Sequence, residues 1–203
     1  MGDYSREVGS APRIPAAPVE DTSLQEFRQQ IETNLFGTII MTKALLGHFR
    51  EQRAGVILRI SSIAGRVGPT GRAPYAAAKF GVEGFSEALA RDVGPLGIKV
   101  VIVEPGGFRT DFAGSSTNLY ARHPEYSETV GATVRFQQNF NGKQPGDPKK
   151  AAQLLLRVGA LDKPPIRIAM GGDVYKAAEQ VDNEPLELSR RFKDWSCSTD
   201  FDN

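Results

Sequence analysis

Three residues near the middle of the chain could carry out proton transfer if they lay together: Ser62, Tyr75 and Lys79. Tyr75 and Lys79 are four apart in a stretch with a helical pattern, so their side chains share one face, one turn apart. A phenol with an ordinary pKa of about 10 is a weak acid or base near neutrality, and a neighbouring ammonium favours its ionised form. Ser62 follows the apolar run 56–60. If that run is a parallel strand, Ser62 lies at its carboxyl end, where open α/β sheets bind ligands.

Two further patterns indicate that this group is more than coincidence. A tyrosine and a lysine four apart often arise by chance, and the alternative interpretation is an exposed helix with a solvated lysine. Pro105 and Gly106, however, end a second apolar run, and Thr110 follows shortly after. Asn34 lies 28 residues before Ser62, within Thr-Asn-Leu-Phe-Gly. Taken singly, the first pattern is a strand end with a turn, and the asparagine is a polar residue tolerated in a helix.

Together these signatures resemble those of the short-chain dehydrogenases/reductases, in which they occur in this order and at about these spacings. The resemblance is strong over residues 18–114 and looser beyond them. It implies an α/β fold built on a partial Rossmann-type, doubly wound parallel sheet. This chain would supply the C-terminal portion of that fold, with three strands flanked by helices.

The resemblance implies hydride transfer between a nicotinamide cofactor, NAD or NADP, and a carbonyl or alcohol carbon of a small-molecule substrate. Tyr75 would be the general acid or base, and Lys79 would lower its pKa and hydrogen-bond the nicotinamide ribose. Ser62 would polarise the substrate oxygen. Ser61 is the competing choice, but the thirteen-residue offset to the tyrosine matches Ser62. Asn34 would hold a water that connects the lysine to solvent.

The implied cofactor site extends beyond the tyrosine and lysine to the end of the second apolar run. Pro105 and Gly106 would line the nicotinamide, and Thr110 would contact its carboxamide. No residue of the chain selects NAD over NADP.

Hydrophobic periodicity predicts alternating elements around these residues. A capping box at Ser23 and Glu26 opens the first helix, in which Asn34 is an interruption. The predicted helices span 24–53, 75–93, 148–158 and 173–195, the last interrupted at Pro185, and the predicted strands span 56–62, 99–104 and 166–170.

Composition narrows the class of protein. The 203 residues include 25 basic and 24 acidic ones, and this balance favours neither nucleic acid nor a membrane surface as a partner. No apolar run approaches the roughly 20 residues of a membrane span. The single Cys197 suits a reducing compartment, and we predict a cytoplasmic protein. Neither His48 nor His123 has a partner at metal-ligand spacing, so no metal site is predicted.

The expected domain organisation is an irregular tail over 1–17, a truncated Rossmann-like domain over 18–195 and a second tail over 196–203. Residues 111–146 would form the substrate lid. Residues 1–33 contain no Gly-x-x-x-Gly-x-Gly, the pattern that holds a cofactor pyrophosphate. The chain is therefore expected to begin in mid-fold and to leave the 56–62 strand as an unpaired edge. We predict a marginally stable, aggregation-prone chain.

Two alternatives to an active oxidoreductase stay open at this point. One is a catalytically impaired fragment or non-catalytic oligomerisation partner, which would form a homo-oligomer or hetero-oligomer through the helices near 24–53 and 75–93. The other is an unrelated helical scaffold, which leaves the spacings unexplained. Aromatic residues within 111–146 suggest a partly hydrophobic substrate, but aromatic residues in loops are also ordinary packing. Steroid-like or lipid-like carbonyls, sugars and small alcohols are all open.

Overall fold

The computed structural model describes residues 14–114, 117–120 and 122–201. The strands are β1 Ile14–Ala16, β2 Gly55–Ile60, β3 Ile98–Pro105, β4 Thr117–Leu119 and β5 Arg167–Met170. The helices are α1 Leu24–Ile31, α2 Gly37–Gln52, α3 Ala73–Val93, α4 Val130–Phe140, α5 Pro148–Gly159, α6 Gly172–Arg191 and α7 Lys193–Cys197. A π-helical turn, Glu32–Phe36, joins α1 to α2 without a break.

The centre of the fold is a three-stranded parallel sheet in the order β2-β3-β5. Val100 of β3 faces Ile57 of β2, and Val103 faces Ile168 of β5. Helix α3 connects β2 to β3, as parallel neighbours require a crossover. The α/β class and the three-stranded parallel sheet flanked by helices are confirmed.

Helix α3 packs on the sheet and closes the main core. Strand β3 is buried along nearly its whole length, as its continuous apolar run predicts for a strand covered on both faces. The core cluster consists of Ile57, Leu89, Val93, Ile98 and Val100. This packing fixes the start of α3 beside the carboxyl end of β2, where the site residues lie.

Strand β2 is an edge strand, as the sequence predicts. Within the described residues the only strand that pairs with it is β3. Val56 and Ile60 on this strand are 36% and 49% exposed, which is high for β-branched residues in a parallel sheet. The edge therefore presents both unpaired backbone groups and apolar side chains.

The prediction of an irregular tail over residues 1–17 is wrong near its end, because Ile14–Ala16 form the strand β1. This strand pairs in parallel with β4, which lies in the segment expected to be the lid. The described chain thus has a two-stranded sheet beside the three-stranded one. The pairing joins segments about 100 residues apart, from Ile14 to Thr117, and the hydrophobic pattern of a three-residue strand is too short to predict it. Residues 1–13 lie outside the described part.

The helices follow the prediction near the N-terminus and differ from it near the C-terminus. Ser23 and Glu26 form the expected capping box, with the Ser23 amide donating to Glu26 over 2.9 Å. Helix α6 runs through position 185 instead of stopping there, since a proline removes one hydrogen bond and can bend a helix without ending it. The break comes at Phe192, and α7 then extends into the expected C-terminal tail as far as Cys197. The π-helical turn falls where Asn34 was expected to interrupt the first helix.

Across the described ranges, no helix combines the length and the apolar character needed to cross a membrane.

Candidate active site

Ser62 lies just past the carboxyl end of β2. Its hydroxyl accepts a hydrogen bond from the Ala64 amide over 3.2 Å and so caps the short 3₁₀ turn Ile63–Gly65. The neighbouring Ser61 is buried, with its own amide donating to Val103 of β3 over 2.7 Å. The sheet therefore holds Ser61 in place while the hydroxyl of Ser62 turns towards the start of α3.

Tyr75 stands in the first turn of α3, which begins with Pro74 near its N-terminus, a favoured position for proline. The tyrosine is buried, and the nearby Ser62 hydroxyl acts on its phenol in the direction that lowers the pKa of Tyr75. The ring of Phe112 meets the tyrosine ring edge to face, with centroids 5.8 Å apart. The structure thus brings the predicted serine and tyrosine together and covers them with a residue of the 111–146 segment.

Lys79 follows one turn later on the same face of α3. Its ammonium lies 5.6 Å from the centroid of the Tyr75 ring and donates to the Ile60 carbonyl over 3.0 Å. Burial lowers the pKa of Lys79 to about 8, against an opposing effect of the Glu83 carboxylate. The ammonium keeps two further N–H groups, since a lysine carries three donors.

The expected effect of Lys79 on Tyr75 is not what the structure shows. Burial raises the pKa of Tyr75, and the hydrogen bond from Ser62 and the positive charge of Arg72 only partly offset that rise. The reason is geometric, because the lysine ammonium is directed to the Ile60 carbonyl. The phenol is therefore held in its protonated form at neutral pH.

Asn34 lies in the π-helical turn, half-buried. The side-chain amide of Asn34 donates to the backbone carbonyl and to the side-chain oxygen of Gln30, both over 3.2 Å. The backbone carbonyl of Asn34 accepts from the Thr38 hydroxyl over 2.8 Å. Gly81 of α3 lets this turn approach, since a Cβ there would lie 2.7 Å from Leu35. The turn that carries Asn34 thus packs against α3 through Leu35, and within the described residues no hydrogen bond joins the asparagine to Lys79. Single π-helical turns often occur at functional sites.

The predicted cofactor residues at the end of β3 are held by the neighbouring strand and helix. The Gly106 amide donates to Met170 over 3.0 Å, and the Gly107 amide donates to the Asp173 carboxylate over 2.9 Å. A Cβ on Gly106 would lie 2.5 Å from Asp173 and Val174, so only glycine allows this approach. Pro105 is the last residue of β3.

Thr110 is exposed, and its hydroxyl accepts from the Phe112 amide over 3.4 Å. The threonine therefore caps the turn that carries Phe112, whose ring lies against Tyr75. Thr110 is connected to the tyrosine through this turn and not by a hydrogen bond of its own within the described residues.

Sequence reasoning missed two charged residues at the site. Arg72, the residue that precedes α3, is only 7% exposed, and its Nη1 has no hydrogen-bond partner within the described chain. Glu83 is buried one turn beyond Lys79. A signal was present for Glu83, since residues 75, 79 and 83 are each four apart and share one helix face. Burial of the arginine has no local sequence signal.

The group can move a proton and polarise an oxygen. Ser62 and Tyr75 present two hydroxyls side by side, and Lys79 adds a buried cation with spare donors. Ammonium and hydroxyl donors suit the hydroxyls of a sugar ring, which is the chemistry of a nicotinamide ribose. These residues therefore fit the ribose end of such a cofactor. Among the described residues, no cluster of three His, Cys, Asp or Glu side chains is arranged to hold a metal ion.

A parallel α/β sheet with helices on its faces is the architecture of Rossmann-like proteins, which bind ligands outside the carboxyl ends of the strands, where Ser62, Tyr75 and Lys79 lie. A family model described as short chain dehydrogenase matches residues 8–120. The chain belongs to the short-chain dehydrogenase family.

Relatives named as an oxidoreductase and as a dehydrogenase agree with this assignment. Oxidoreductase BOA17 of Botryotinia fuckeliana is 38% identical over 189 residues, which cover 90% of this chain and 69% of that protein. The mitochondrial D-beta-hydroxybutyrate dehydrogenase of Bos taurus is 35% identical over 150 residues, which cover 73% of this chain and 43% of that protein. The chain thus spans only part of the length of the relatives it matches.

Solved structures share the fold. A short-chain dehydrogenase from Streptomyces avermitilis is similar with a TM-score of 0.84 and 36% identity, over 95% of this chain and 70% of that one. A 4-hydroxyisoleucine dehydrogenase complexed with NADH and succinate is similar with a TM-score of 0.61 and 20% identity, over 80% of this chain and 64% of that one. The second likeness concerns the fold alone.

Proposed function

We propose that this protein is a nicotinamide-dependent oxidoreductase that interconverts a carbonyl and an alcohol, with Tyr75 as the general acid or base. The observation that carries the proposal is the placement of the buried Tyr75 phenol next to Ser62 and Lys79, at the carboxyl edge of a parallel sheet. Membership of the short-chain dehydrogenase family supports it.

In this proposal each side chain acts at a stated atom. The Tyr75 phenol gives its proton to the substrate oxygen in reduction and takes it back in oxidation. The Ser62 hydroxyl donates to the same oxygen, where negative charge develops. The Lys79 ammonium binds the cofactor ribose, and Asn34 supports the water-filled route by which the lysine exchanges protons with solvent.

The cofactor, NAD or NADP, supplies or accepts the hydride when bound. Pro105 and Gly106 would line its nicotinamide end, and Thr110 would contact its carboxamide. In support, the backbone around Gly106 is fixed by Met170 and Asp173, so this edge of the site is rigid before any ligand binds.

The raised pKa of Tyr75 favours reduction near neutral pH. A buried phenol that stays protonated is ready to act as an acid, whereas oxidation of an alcohol requires the phenolate. We therefore propose carbonyl reduction as the favoured direction at neutral pH and alcohol oxidation at alkaline pH.

The substrate is proposed to enter beneath the 111–146 segment. Phe112 of this segment covers Tyr75, and a Cβ on Gly107 would lie 2.8 Å from the Phe140 ring. These aromatic side chains favour a partly apolar carbonyl compound. The named relative acts on a hydroxy acid, D-beta-hydroxybutyrate, and small hydroxy or keto acids therefore belong in the first substrate panel.

Family membership favours an oxidoreductase over the non-catalytic partner that the sequence left open. Oligomerisation through the helices now described as α1–α2 and α3 stays a prediction, as does a cytoplasmic location. Phe36, Ile40, Met41, Leu45 and Phe80 are exposed apolar side chains on these helices, and they support the oligomer.

The decisive experiment measures binding of NADH and NADPH to the 203-residue chain by calorimetry, followed by turnover with a panel of ketones, keto acids and alcohols. Saturable binding together with turnover that Tyr75→Phe removes would support the proposal. Binding without turnover would leave the chain a nicotinamide-binding protein, and failure to bind either cofactor would exclude this function for the chain by itself.

A further inference from the structure

A row of buried charges continues from Lys79 into the interior. Glu83, one turn after the lysine on α3, is 4% exposed, and its Oε2 accepts from Arg167 Nε on β5 over 3.0 Å. A second carboxylate on the same helix, Glu87, accepts from Arg167 Nη1 over 2.7 Å and is half-buried. One arginine therefore holds two carboxylates of α3, but only Glu83 is adjacent to the lysine.

The same arginine lies close to a third carboxylate, on β3. Glu104 is 1% exposed, with Oε1 3.5 Å from Arg167 Nε and Oε2 3.3 Å from Arg66 Nη1. Arg66 also pairs with Asp182 of α6. Burial raises the pKa of Glu104, and the charge of Arg66 counteracts that rise. The row thus runs from the buried lysine to charged groups near the surface.

Tight packing fixes Glu83 against the turn that follows Ser62. A Cβ on Gly65 would lie 2.8 Å from Glu83 Cγ and 3.0 Å from the Lys79 carbonyl oxygen. Only glycine lets the Ile63–Gly65 turn come this close to the Lys79–Glu83 turn of α3. The Glu83 side chain therefore has little freedom to leave its place one turn after Lys79.

A purely structural role explains this arrangement poorly. Buried ion pairs are weak contributors to stability, because desolvation of the charges offsets their attraction. Glu83 Oε1 has no hydrogen-bond partner within the described chain, although the other oxygen is bonded. Burying a carboxylate with only one hydrogen-bonded oxygen disfavours folding. Such a group one turn from a buried ammonium is more typical of a site where one charged side chain shifts the pKa of another.

We propose that Glu83, held by Arg167, is a positioning residue that keeps the Lys79 ammonium charged in its buried place beside Tyr75. The inference rests on the proposed function for its catalytic meaning. Glu83 lies outside the predicted set of a serine, a tyrosine, a lysine and an asparagine. Through Arg167, the strand β5 would then help to hold the site in place.

The electrostatic direction agrees with the geometry. Burial lowers the pKa of Lys79 to about 8, and the negative charge of Glu83 raises it, so the carboxylate opposes loss of the proton. The titratable or charged groups that surround the pair are Tyr75 and Glu87 on α3, Arg72 before it, Arg66 after Ser62, Glu104 on β3 and Arg167 on β5.

The test is a titration of Lys79 in the full chain that requires no turnover. Acetic anhydride labelling across a pH series, followed by peptide mass spectrometry, reports the protonation of each lysine. Wild-type Lys79 should titrate near pH 8. Glu83→Gln should move that midpoint down by about one pH unit, because the opposite charge one helical turn away has been removed.

Glu87→Gln is the matched control, since it also removes a carboxylate from Arg167 but lies two turns from the lysine. Its Lys79 midpoint should stay within about 0.3 pH units of wild type. Equal shifts in the two variants, or no shift in Glu83→Gln, would overturn the proposal.

A second variant covers the case in which Glu83→Gln does not fold, as judged by circular dichroism. Arg167→Gln removes the cation that holds Glu83, and a buried carboxylate without its partner is driven towards the neutral form, so the Lys79 midpoint should move down as in Glu83→Gln. A midpoint that stays at the wild-type value or rises would count against the proposal. If turnover is found, the alkaline limb of its pH profile should move with the same sign; if wild type shows none, the proposed function fails while the labelling result still decides the role of Glu83.

Discussion

The ammonium of Lys79 donates a 3.0 Å hydrogen bond to the backbone carbonyl of Ile60. Ile60 is the last residue of the edge strand β2, so this bond ties the start of α3 to the carboxyl end of the sheet. The bond supports the lysine in a place where burial disfavours its charge. The same buried surroundings set the direction in which the pKa values of Lys79 and Tyr75 are shifted.

Because of Lys79, the free energy of unfolding should rise with pH in the alkaline range. Its pKa is about 8 in the folded chain, below the ordinary 10.5. Below pH 8 the folded chain therefore carries the full cost of the buried charge, and the cost is relieved as pH rises from about 8 to 10.5, because the unfolded chain binds more protons there. The difference between the two pKa values corresponds to about 3 kcal/mol in the free energy of unfolding.

The free energy of unfolding of wild type relative to Lys79→Met should accordingly rise between pH 7 and pH 10 when both are measured by urea denaturation. The exposed Lys43 provides the control: the free energy of unfolding of wild type relative to Lys43→Met should not change over the same pH range. Parallel curves for wild type and Lys79→Met would contradict the prediction.

Tyr75→Phe should lower turnover by about 100-fold to 10,000-fold, because general acid–base catalysis by a placed side chain is worth that much. The stability of the fold should change little, since no backbone group of the described residues bonds to the phenol oxygen. Tyr175→Phe removes the hydroxyl of an exposed tyrosine on α6 and serves as the control. Steady-state assay of both variants checks the prediction, which fails if they retain equal activity.

Arg72→Gln should raise the pKa of Tyr75 further, because the arginine is a cation that stabilises the phenolate. Alcohol oxidation requires the phenolate, so the pH of half-maximal oxidation should move to a more alkaline value by about one pH unit. Arg91→Gln, at an exposed position near the end of α3, should leave the profile in place. An acid shift in Arg72→Gln would show that the arginine acts in another way.

Gly97→Ala should destabilise the fold by about 2 kcal/mol or more. Gly97 ends the turn between α3 and β3 with φ of +80°, and a Cβ there would lie 2.3 Å from the Arg53 carbonyl oxygen. Gly94→Ala is the matched control in the same turn, because nothing lies within 4 Å of a Cβ at that position. Thermal unfolding of the two variants separates the effect of the clash from the loss of a glycine.

Val56→Lys should reduce self-association of the chain. Val56 is an exposed apolar residue on the edge strand β2, and a lysine on an edge strand opposes pairing with another chain. Val67→Lys, in the loop after Ser62, adds the same charge away from the edge. Sizing with light scattering should show larger species in wild type and Val67→Lys than in Val56→Lys, whereas a monodisperse wild type with a cooperative melt would show that the edge is harmless.

The sequence by itself determined the local features of the site. Tyr75 and Lys79 share a helix face because of their four-residue spacing, and the apolar run ending at Pro105 could only be a buried strand. The capping box at Ser23 and the interruption around Asn34 were also readable, since each depends on interactions within a few residues. Such features follow from short-range geometry, which sequence spacing records directly.

Only the tertiary structure decided which charges are buried and which partners they meet. The pairing of Glu83 with Arg167 joins residues 84 positions apart, and β1 pairs with a strand about 100 residues later. Burial likewise set the direction of the pKa of Tyr75, contrary to the expected effect of Lys79, and made Arg72 the cation that acts on the phenol. Desolvation depends on everything packed around a group, so no local pattern in the sequence carries it.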